Sequence, residues 1–304
     1  MASKEQVAII GAGLMGHGLA AVFANGGHEV AITDPFADVL ASAKNRISAT
    51  MKSIGWDDTG AVRVQTHATL ADTVKFADIV IEAAPERLPL KQEIFAQLEA
   101  AARPDALLCS NTSVIPIGQI AARVKSKHRV LGTHWWNPPY LVPLVEVIQA
   151  EGTDPAIITR MIALLNGLGK VAVHVKKDVP GFVGNRMQHA LWREAIALVD
   201  AGVCDAETVD LVVKNSFGRR LAVLGPLENA DLVGTGLTLD IQNSVLPHLD
   251  RAVEPTATLR GLVAQGKLGF KTNAGFKTWT DDQKAALRAK VADHLNLLNE
   301  LLKT

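Results

Sequence analysis

Cysteine, an excess of charge of one sign, and long apolar runs are all scarce in this 304-residue chain. The two cysteines, Cys109 and Cys204, lie far apart in apolar surroundings, which disfavours a disulfide framework and predicts reduced thiols in a cytoplasmic protein. Lysine plus arginine equals aspartate plus glutamate at 31 each, so no basic excess is available to bind nucleic acid. The Cys/His spacing of a zinc site is also missing, and we predict no metal.

Apolar segments long enough for a membrane are missing as well. No uncharged apolar stretch approaches the roughly 18 residues that a membrane helix needs. The first residues pass directly into a strand-like run, without the apolar segment and cleavage site of a signal peptide. We therefore expect a soluble protein with no membrane partner.

The composition that remains is typical of a folded protein with more than one core. Hydrophobic residues make up 48% of the chain and charged residues 20%, and 304 residues are long for a single core. We expect two domains.

Short apolar runs alternate with helical patterns through the first 180 or so residues. This alternation predicts an α/β domain with a parallel, doubly wound sheet, a Rossmann-type arrangement. The predicted helices include 14–25 and 90–102. The predicted strands are 7–10, 30–33, 79–82, 107–109, 130–133, 144–148 and 171–175.

The pattern changes after Val179-Pro180-Gly181, where strand-like runs stop and helical periodicity continues towards the C-terminus. We expect the Rossmann-type domain to span 1–183 and an all-α C-terminal domain to span 184–304. Residues 281–303 read as one long amphipathic helix.

A glycine-rich motif, Gly11-Ala12-Gly13-Leu14-Met15-Gly16, follows the first predicted strand and begins the first predicted helix. In a dinucleotide-binding turn the first glycine allows the sharp bend, the second lets the backbone approach the pyrophosphate, and the third lets helix and strand pack closely. Three glycines that merely serve a strand-to-helix turn are the alternative.

Asp34 ends the second predicted strand, about 20 residues after the motif, where a carboxylate accepts hydrogen bonds from the adenine ribose. This agreement strengthens the dinucleotide interpretation. It also favours NAD over NADP, because Asp34 would repel a 2′-phosphate and residues 35–37 offer no arginine to receive one.

His134 and Glu146 form the candidate catalytic pair. His134 follows an apolar strand, and Glu146 lies inside the next one, where an unpaired buried carboxylate would be costly. The loop between them contains three prolines and would return the second strand so that Glu146 reaches His134. Glu146 would then fix the imidazole tautomer and leave the other nitrogen to take a hydroxyl proton. A core histidine and a solvated glutamate are the alternative.

Ser110-Asn111-Thr112-Ser113 follows another predicted strand and brings four polar side chains to the same edge of the sheet. These side chains would hold the nicotinamide ribose and the substrate oxygen, or would only cap the helix that follows. The spacing does not decide between the two.

Taken together, these segments resemble the 3-hydroxyacyl-CoA dehydrogenase family through essentially the whole chain. Further matches lie at His134-Trp135-Trp136-Asn137-Pro138, Lys177-Asp178-Val179-Pro180-Gly181-Phe182-Val183-Gly184-Asn185-Arg186 and Lys267-Leu268-Gly269-Phe270-Lys271-Thr272. The resemblance implies that His134 is a general base for alcohol oxidation, with Glu146 as its partner. It also implies a homodimer formed through the helical domain.

The resemblance assigns further roles by position. Ser113, Asn137 and Asn185 match positions that line the reacting oxygen. The matches to cofactor contacts are Gly11, Gly13, Leu14, Met15, Gly16, Asp34, Glu86, Lys91 and Asn111.

Two departures from the family pattern concern the substrate. Residues 35–77 are fewer than in members that grip coenzyme A with this segment, and the usual Gly-Tyr-Pro-Met-Gly-Pro-Phe stretch is replaced by residues 217–228. The altered form is similar to a branch acting on free acids, which includes L-gulonate 3-dehydrogenases, L-carnitine dehydrogenases and pyridine-carboxylate dehydrogenases. Arg219 or Arg220 would clamp a small carboxylate, unless both are ordinary surface arginines.

The sequence therefore predicts an NAD-dependent dehydrogenase that oxidises the hydroxyl of a small (3-)hydroxy carboxylic acid. A true 3-hydroxyacyl-CoA dehydrogenase is the first alternative. A structural protein that retains NAD without chemistry is the second, although such a protein would not need His134, Glu146, Ser113 and Asn185 together.

Overall fold

The computed structural model describes residues 4–302, and its first part is built on an eight-stranded sheet. The strands are β1 (Gln6–Ile10), β2 (Glu29–Thr33), β3 (Val64–Thr66), β4 (Ile79–Glu82), β5 (Leu107–Ser110), β6 (Val130–Trp135), β7 (Leu144–Ile148) and β8 (Val171–Val175). Their order across the sheet is β3-β2-β1-β4-β5-β6-β7-β8. Strands β1 to β6 are parallel, whereas β7 pairs antiparallel with β6 and parallel with β8.

Helices cover both faces of this sheet, as its residue pattern requires. Along β1, Val7 and Ile9 belong to one buried apolar cluster while Ala8 and Ile10 belong to another, so the strand is apolar on both faces. The helices of this part are α1 (Leu14–Asn25), α2 (Ala37–Ser53), α3 (Leu70–Val74), α4 (Leu88–Ala101), α5 (Ile117–Ile120) and α6 (Pro155–Gly167). The predicted Rossmann-type arrangement is confirmed.

The rest of the described chain is helical, as predicted. Its helices are α7 (Gly184–Asp200), α8 (Ala206–Asn215), α9 (Pro226–Val233), α10 (Thr235–Val245), α11 (Ala257–Ala264) and α12 (Asp281–Leu301). The last helix matches the one predicted at 281–303, of which Lys303 lies outside the described residues. None of the described helices is long and apolar enough to cross a membrane.

Two compact units divide the described residues. One contains residues 4–186 together with 295–302, and the other contains 187–294. The first unit holds both apolar clusters, whereas no residue of the second is buried. The expected division at 183 and 184 stays a prediction.

Candidate active site

The glycine turn between β1 and α1 has the geometry that its motif requires. Gly11 has a φ of +103°, and a Cβ there would lie 2.8 Å from the carbonyl oxygen of Ala83. A Cβ on Gly16 would lie 1.8 Å from the carbonyl oxygen of Gly11, so strand and helix meet at that point. At Gly13, by contrast, a Cβ would meet nothing within 4 Å. The first and third glycines serve the turn, and the second leaves its surface open.

This open surface lies at the N-terminus of a twelve-residue helix with no acidic residue in its first turn. Helix N-termini attract phosphates through their free N–H groups and their positive dipole end. The turn therefore fits a dinucleotide pyrophosphate at Gly13, with Leu14 and Met15 in the first helical turn.

Asp34 is fixed beside the same turn. Its Oδ2 accepts a hydrogen bond from the Ala12 N–H at 2.8 Å, and its Oδ1 accepts one from the Phe36 N–H at 3.0 Å. A carboxylate has about four acceptor positions, so Asp34 retains capacity for ribose hydroxyls.

Two side chains that the sequence did not single out also support the turn. Arg46 of α2 donates from Nη2 to the carbonyl oxygen of Ala12 at 2.6 Å, and His17 Nδ1 lies 2.8 Å from the carbonyl oxygen of Gly13. Burial lowers the pKa of His17, which favours its neutral form. Arg46 lies 34 positions from Ala12, so no local motif indicated its contact.

A buried ion pair lies at the ends of β4 and β5. Lys91 Nζ is 2.7 Å from Glu82 Oε1 and 3.4 Å from Glu86 Oε2, and Ser110 Oγ donates to Glu82 Oε2 at 2.6 Å. Sequence reasoning missed Glu82, although it carries the same signal as Asp34, a carboxylate ending an apolar strand. Lys91 is fully buried, and its predicted contact with the cofactor stays a prediction.

Glu86 organises the segment that follows β5. It accepts hydrogen bonds from the Thr112 hydroxyl and from the N–H groups of Ser113 and Val114, the last two at 3.1 and 3.2 Å. Burial raises the pKa of Glu86, but these hydrogen bonds and the Lys91 charge outweigh it, and the net shift is downward. The helix α5 begins after Pro116, and the Asp178 carboxylate accepts hydrogen bonds from its first N–H groups, those of Ile117 and Gly118, so this polar segment does not serve as its cap.

His134 and Glu146 are directly paired across β6 and β7. Side chains of opposite residues point to the same face of a sheet, and His134 Nδ1 lies 2.7 Å from Glu146 Oε2. Both side chains are buried, and the predicted contact is present. The antiparallel return of β7, produced by the proline-containing loop, makes the contact possible.

Hydrogen bonds determine the charge of Glu146. Burial raises its pKa, but the hydrogen bonds from His134 and from the N–H groups of Gly184 and Val183 outweigh that effect and lower it. Glu146 is thus a carboxylate that can only accept, so Nδ1 of His134 is the donor of their hydrogen bond, and in the neutral imidazole this leaves Nε2 as the acceptor. The rings of Trp136 and Phe182 lie 5.3 and 5.6 Å from the His134 ring.

The other predicted residues fall into two groups. Asn185 Nδ2 donates to the Ser113 carbonyl oxygen at 2.8 Å, and Asn111 Oδ1 accepts from the Trp135 N–H at 3.0 Å, so residues distant in sequence meet near His134. Asn137 is exposed in the loop after β6. Arg219 and Arg220 are exposed in the second unit, and their predicted role stays a prediction.

A glycine turn at a helix N-terminus, a carboxylate at the end of the next strand and a buried His–Glu pair lie at one sheet edge, a combination typical of one class, the nicotinamide-dependent dehydrogenases. Comparison with known proteins identifies the family within this class. Residues 6–179 match the family model for 3-hydroxyacyl-CoA dehydrogenase, NAD binding domain, and residues 181–279 match its C-terminal domain. The chain belongs to the 3-hydroxyacyl-CoA dehydrogenase family.

Similar proteins include members with different substrates. A 5-formyl-3-hydroxy-2-methylpyridine 4-carboxylate 5-dehydrogenase of Mesorhizobium japonicum is 34% identical, with 98% of each chain covered. An L-carnitine dehydrogenase of Streptomyces coelicolor is 35% identical over 76% of this chain and 74% of that one. The mitochondrial hydroxyacyl-coenzyme A dehydrogenase of Rattus norvegicus is 33% identical over 90% of each.

Solved structures give the same picture. The crystal structure of the pyridine-carboxylate enzyme, described as an NAD+ dependent dismutase, superposes with a TM-score of 0.92, 32% identity and 99% coverage of each chain. An (S)-3-hydroxybutyryl-CoA dehydrogenase of Ralstonia eutropha gives 0.76 with 31% identity, covering 92% of this chain and 100% of that one. The chain is an NAD-dependent oxidoreductase acting on a CH–OH group.

Proposed function

We propose that this enzyme catalyses the reversible NAD-linked oxidation of a hydroxyl group on a small hydroxy carboxylic acid, with His134 as the general base. The observation that carries the proposal is the buried contact of 2.7 Å between His134 Nδ1 and Glu146 Oε2. An imidazole oriented in this way has one nitrogen committed to the carboxylate and the other available to a substrate.

The chemistry follows from that arrangement. In the oxidation, His134 Nε2 takes the proton of the substrate hydroxyl, and the carbinol carbon loses a hydride. Bound NAD+ supplies the hydride acceptor. The imidazolium formed at His134 is stabilised by the Glu146 carboxylate beside it, and the low local dielectric of the buried pair strengthens this attraction. In the reduction, His134 returns the proton to the forming alkoxide oxygen.

The remaining site residues are proposed to position the reactants. Ser113, Asn137 and Asn185 would contact the reacting oxygen, and the hydrogen bond from Asn185 to the Ser113 carbonyl oxygen supports a shared location for these two. The proposed cofactor contacts are Gly11, Gly13, Leu14, Met15, Gly16, Asp34, Glu86, Lys91 and Asn111.

Two observations favour a free acid over a thioester. The pyridine-carboxylate enzyme gives the higher of the two TM-scores quoted above, and its name denotes a ring carboxylate with a formyl group. The hydrate of a formyl group also presents a CH–OH bond to a histidine base. L-carnitine, the substrate named for another relative, is a free hydroxy acid. Arg219 or Arg220 is the proposed partner of the substrate carboxylate.

A 3-hydroxyacyl-CoA is the second candidate substrate. It is favoured by the 33% identity with the rat hydroxyacyl-coenzyme A dehydrogenase over 90% of the chain.

We also propose a homodimer formed through the second unit. No residue from 187 to 294 is buried, and several large apolar side chains there are more than half exposed. They include Leu227, Leu232, Leu237 and Leu239. Covering such side chains with the equivalent face of a second copy would bury apolar surface that a single chain leaves in water.

NADH formation on two kinds of substrate tests the proposal. The acid panel contains 3-hydroxybutyrate, L-carnitine, L-gulonate and pyridine carboxylates with hydroxymethyl or formyl groups, and 3-hydroxybutyryl-CoA is assayed beside it. We expect a higher kcat/KM for at least one free acid than for the thioester. Activity on the thioester alone would reverse the assignment of the substrate while leaving the role of His134 in place.

A further inference from the structure

The loop of residues 136–143, here called the proline loop, connects His134 on β6 with Glu146 on β7. Three of its residues are proline, and proline has no N–H group to donate. Within the loop, the N–H groups of Leu141 and Val142 both donate to the Pro138 carbonyl oxygen, at 3.0 and 2.9 Å. The Pro143 carbonyl oxygen accepts from the Val171 N–H at 2.9 Å, and three other carbonyl groups of the loop accept from side chains elsewhere in the chain.

Two distant side chains provide those donors. Lys170, between α6 and β8, donates from Nζ to the Pro139 carbonyl oxygen at 2.5 Å and to the Val142 carbonyl oxygen at 3.3 Å. Asn299 of α12 donates from Nδ2 to the Leu141 carbonyl oxygen at 2.8 Å. Both donors belong to the same compact unit as the loop.

Lys170 is unusual because it is a buried cation whose hydrogen bonds, in the described part of the chain, are with carbonyl groups. Its exposed fraction is 9%, and its ammonium contacts the carbonyl oxygens of Pro139 and Val142. Its ammonium lies 5.7 Å from the centre of the Trp135 ring. Burial lowers the pKa of Lys170 to about 8, with no charged side chain contributing. Burying an ammonium is costly, so its contacts with the two carbonyl groups must offset that cost.

The proline loop also contacts the cofactor-binding helix. A Cβ on Gly18 of α1 would lie 2.7 Å from Pro139 Cγ and 3.4 Å from Tyr140 Cδ1, so the loop packs directly against that helix. The other end of the loop carries Asn137, three positions after His134. A shift of the loop would consequently change the position of α1 relative to the catalytic pair.

We infer that Lys170 is a positioning residue, which holds the proline loop and thereby keeps the cofactor-binding helix in a fixed position relative to the catalytic histidine. The inference rests on the proposed role of His134, but the loop contacts are independent of the substrate. Lysine suits this position because its ammonium carries three donors, whereas a methionine of similar size carries none.

The test compares Lys170→Met with Lys170→Arg and with Lys52→Met. Lys52 is an exposed lysine of the same unit, paired with Asp58 and remote from the loop in sequence, and serves as the control. Amide hydrogen exchange at Leu141 and Val142 measures the order of the loop without any substrate. NAD binding and the kcat/KM for the best acid of the panel are measured on the same preparations.

For Lys170→Met we expect faster exchange at Leu141 and Val142 and a kcat/KM lowered about 10–100-fold, because small misplacements of reacting groups have effects of that size. Lys170→Arg, which keeps charge and donors, should recover part of both. Lys52→Met should match the wild type. If Lys170→Met does not fold, Asn299→Ala gives the same readouts with smaller changes expected.

A purely structural role for Lys170 would lower the unfolding temperature but leave exchange at the two amides and kcat/KM of the folded enzyme unchanged. That result would overturn the inference. Altered exchange with an enzyme inactive on every acid would instead contradict the proposed substrate class, and the positioning role of Lys170 would stand on the exchange data.

Discussion

At the scale of single residues, the charge on Glu146 determines what His134 can do. The carboxylate accepts hydrogen bonds from His134 and from two backbone N–H groups, and these contacts outweigh the effect of burial on its pKa. A neutral glutamic acid could instead donate its proton to Nδ1 and leave Nε2 protonated. The proposed base would then be lost.

A pH experiment follows from the lowered pKa of Glu146. A carboxyl whose pKa is lower in the folded state stabilises the fold above its unfolded pKa, near 4.5, and loses that contribution as the pH falls through the folded value. Glu146→Gln lacks this contribution at every pH. We expect the difference in unfolding free energy between the two proteins to shrink as the pH is lowered from about 7 to about 3.

Chemical denaturation at a series of pH values measures this difference. A difference that does not change with pH would contradict the assignment of an ionised, stabilising Glu146. The same variant should lose at least about 10²-fold in turnover near neutral pH, because a glutamine cannot stabilise the imidazolium.

At the scale of elements, the glycine turn allows a matched pair of substitutions. Gly16→Ala would bring a Cβ within 1.8 Å of the Gly11 carbonyl oxygen, so strand and helix must separate. Gly13→Ala meets nothing within 4 Å, and Gly13 has an ordinary φ of −68°. We therefore expect the two substitutions to have different effects on the protein.

We expect Gly16→Ala to lower the unfolding free energy by about 1–3 kcal/mol or more, the usual effect of overpacking. Gly13→Ala should keep nearly wild-type stability and weaken NAD binding, because its methyl group occupies the approach to the pyrophosphate. Thermal unfolding and NAD titration measure the two effects. Gly13→Ala with unchanged NAD affinity would show that the cofactor does not approach at this glycine.

Most sheet elements could be predicted because their signal is local. Every predicted strand is present, since a run of apolar residues bounded by turn residues indicates a strand buried on both faces. The strand β3 was missed because it has only three residues, of which Val64 alone is buried. The sheet is parallel from β1 to β6, as predicted, and β7 runs antiparallel to β6, as the predicted return of the chain through the proline-containing loop requires.

The candidate site divides in the same way. The sequence predicts the glycine turn at Gly11 and the position of Asp34 from the spacing of a motif. It predicts the His134–Glu146 contact from the proline-rich connection between the two strands. Arg46, Lys170 and Asn299 were not, because each acts on the backbone of a residue far away in sequence and its own neighbours carry no sign of that contact. Such contacts depend on tertiary structure.

At the scale of the whole molecule, the second unit gives the clearest prediction. None of residues 187–294 is buried, and the proposed dimer would cover the apolar side chains that their helices expose. We expect light scattering on the eluting peak of a sizing column to give about twice the 32.4 kDa mass of one chain. The mass of a single chain at micromolar concentration would contradict the proposed dimer.

The account as a whole depends on proton transfer at His134, and turnover of His134→Gln tests it most directly. His174→Gln, a substitution at an exposed histidine of β8, is the control and should retain wild-type turnover. For His134→Gln we predict that turnover on the best acid falls by roughly 10²–10⁴ while NAD binding stays nearly unchanged. A variant that binds NAD and turns over at the wild-type rate would contradict the account.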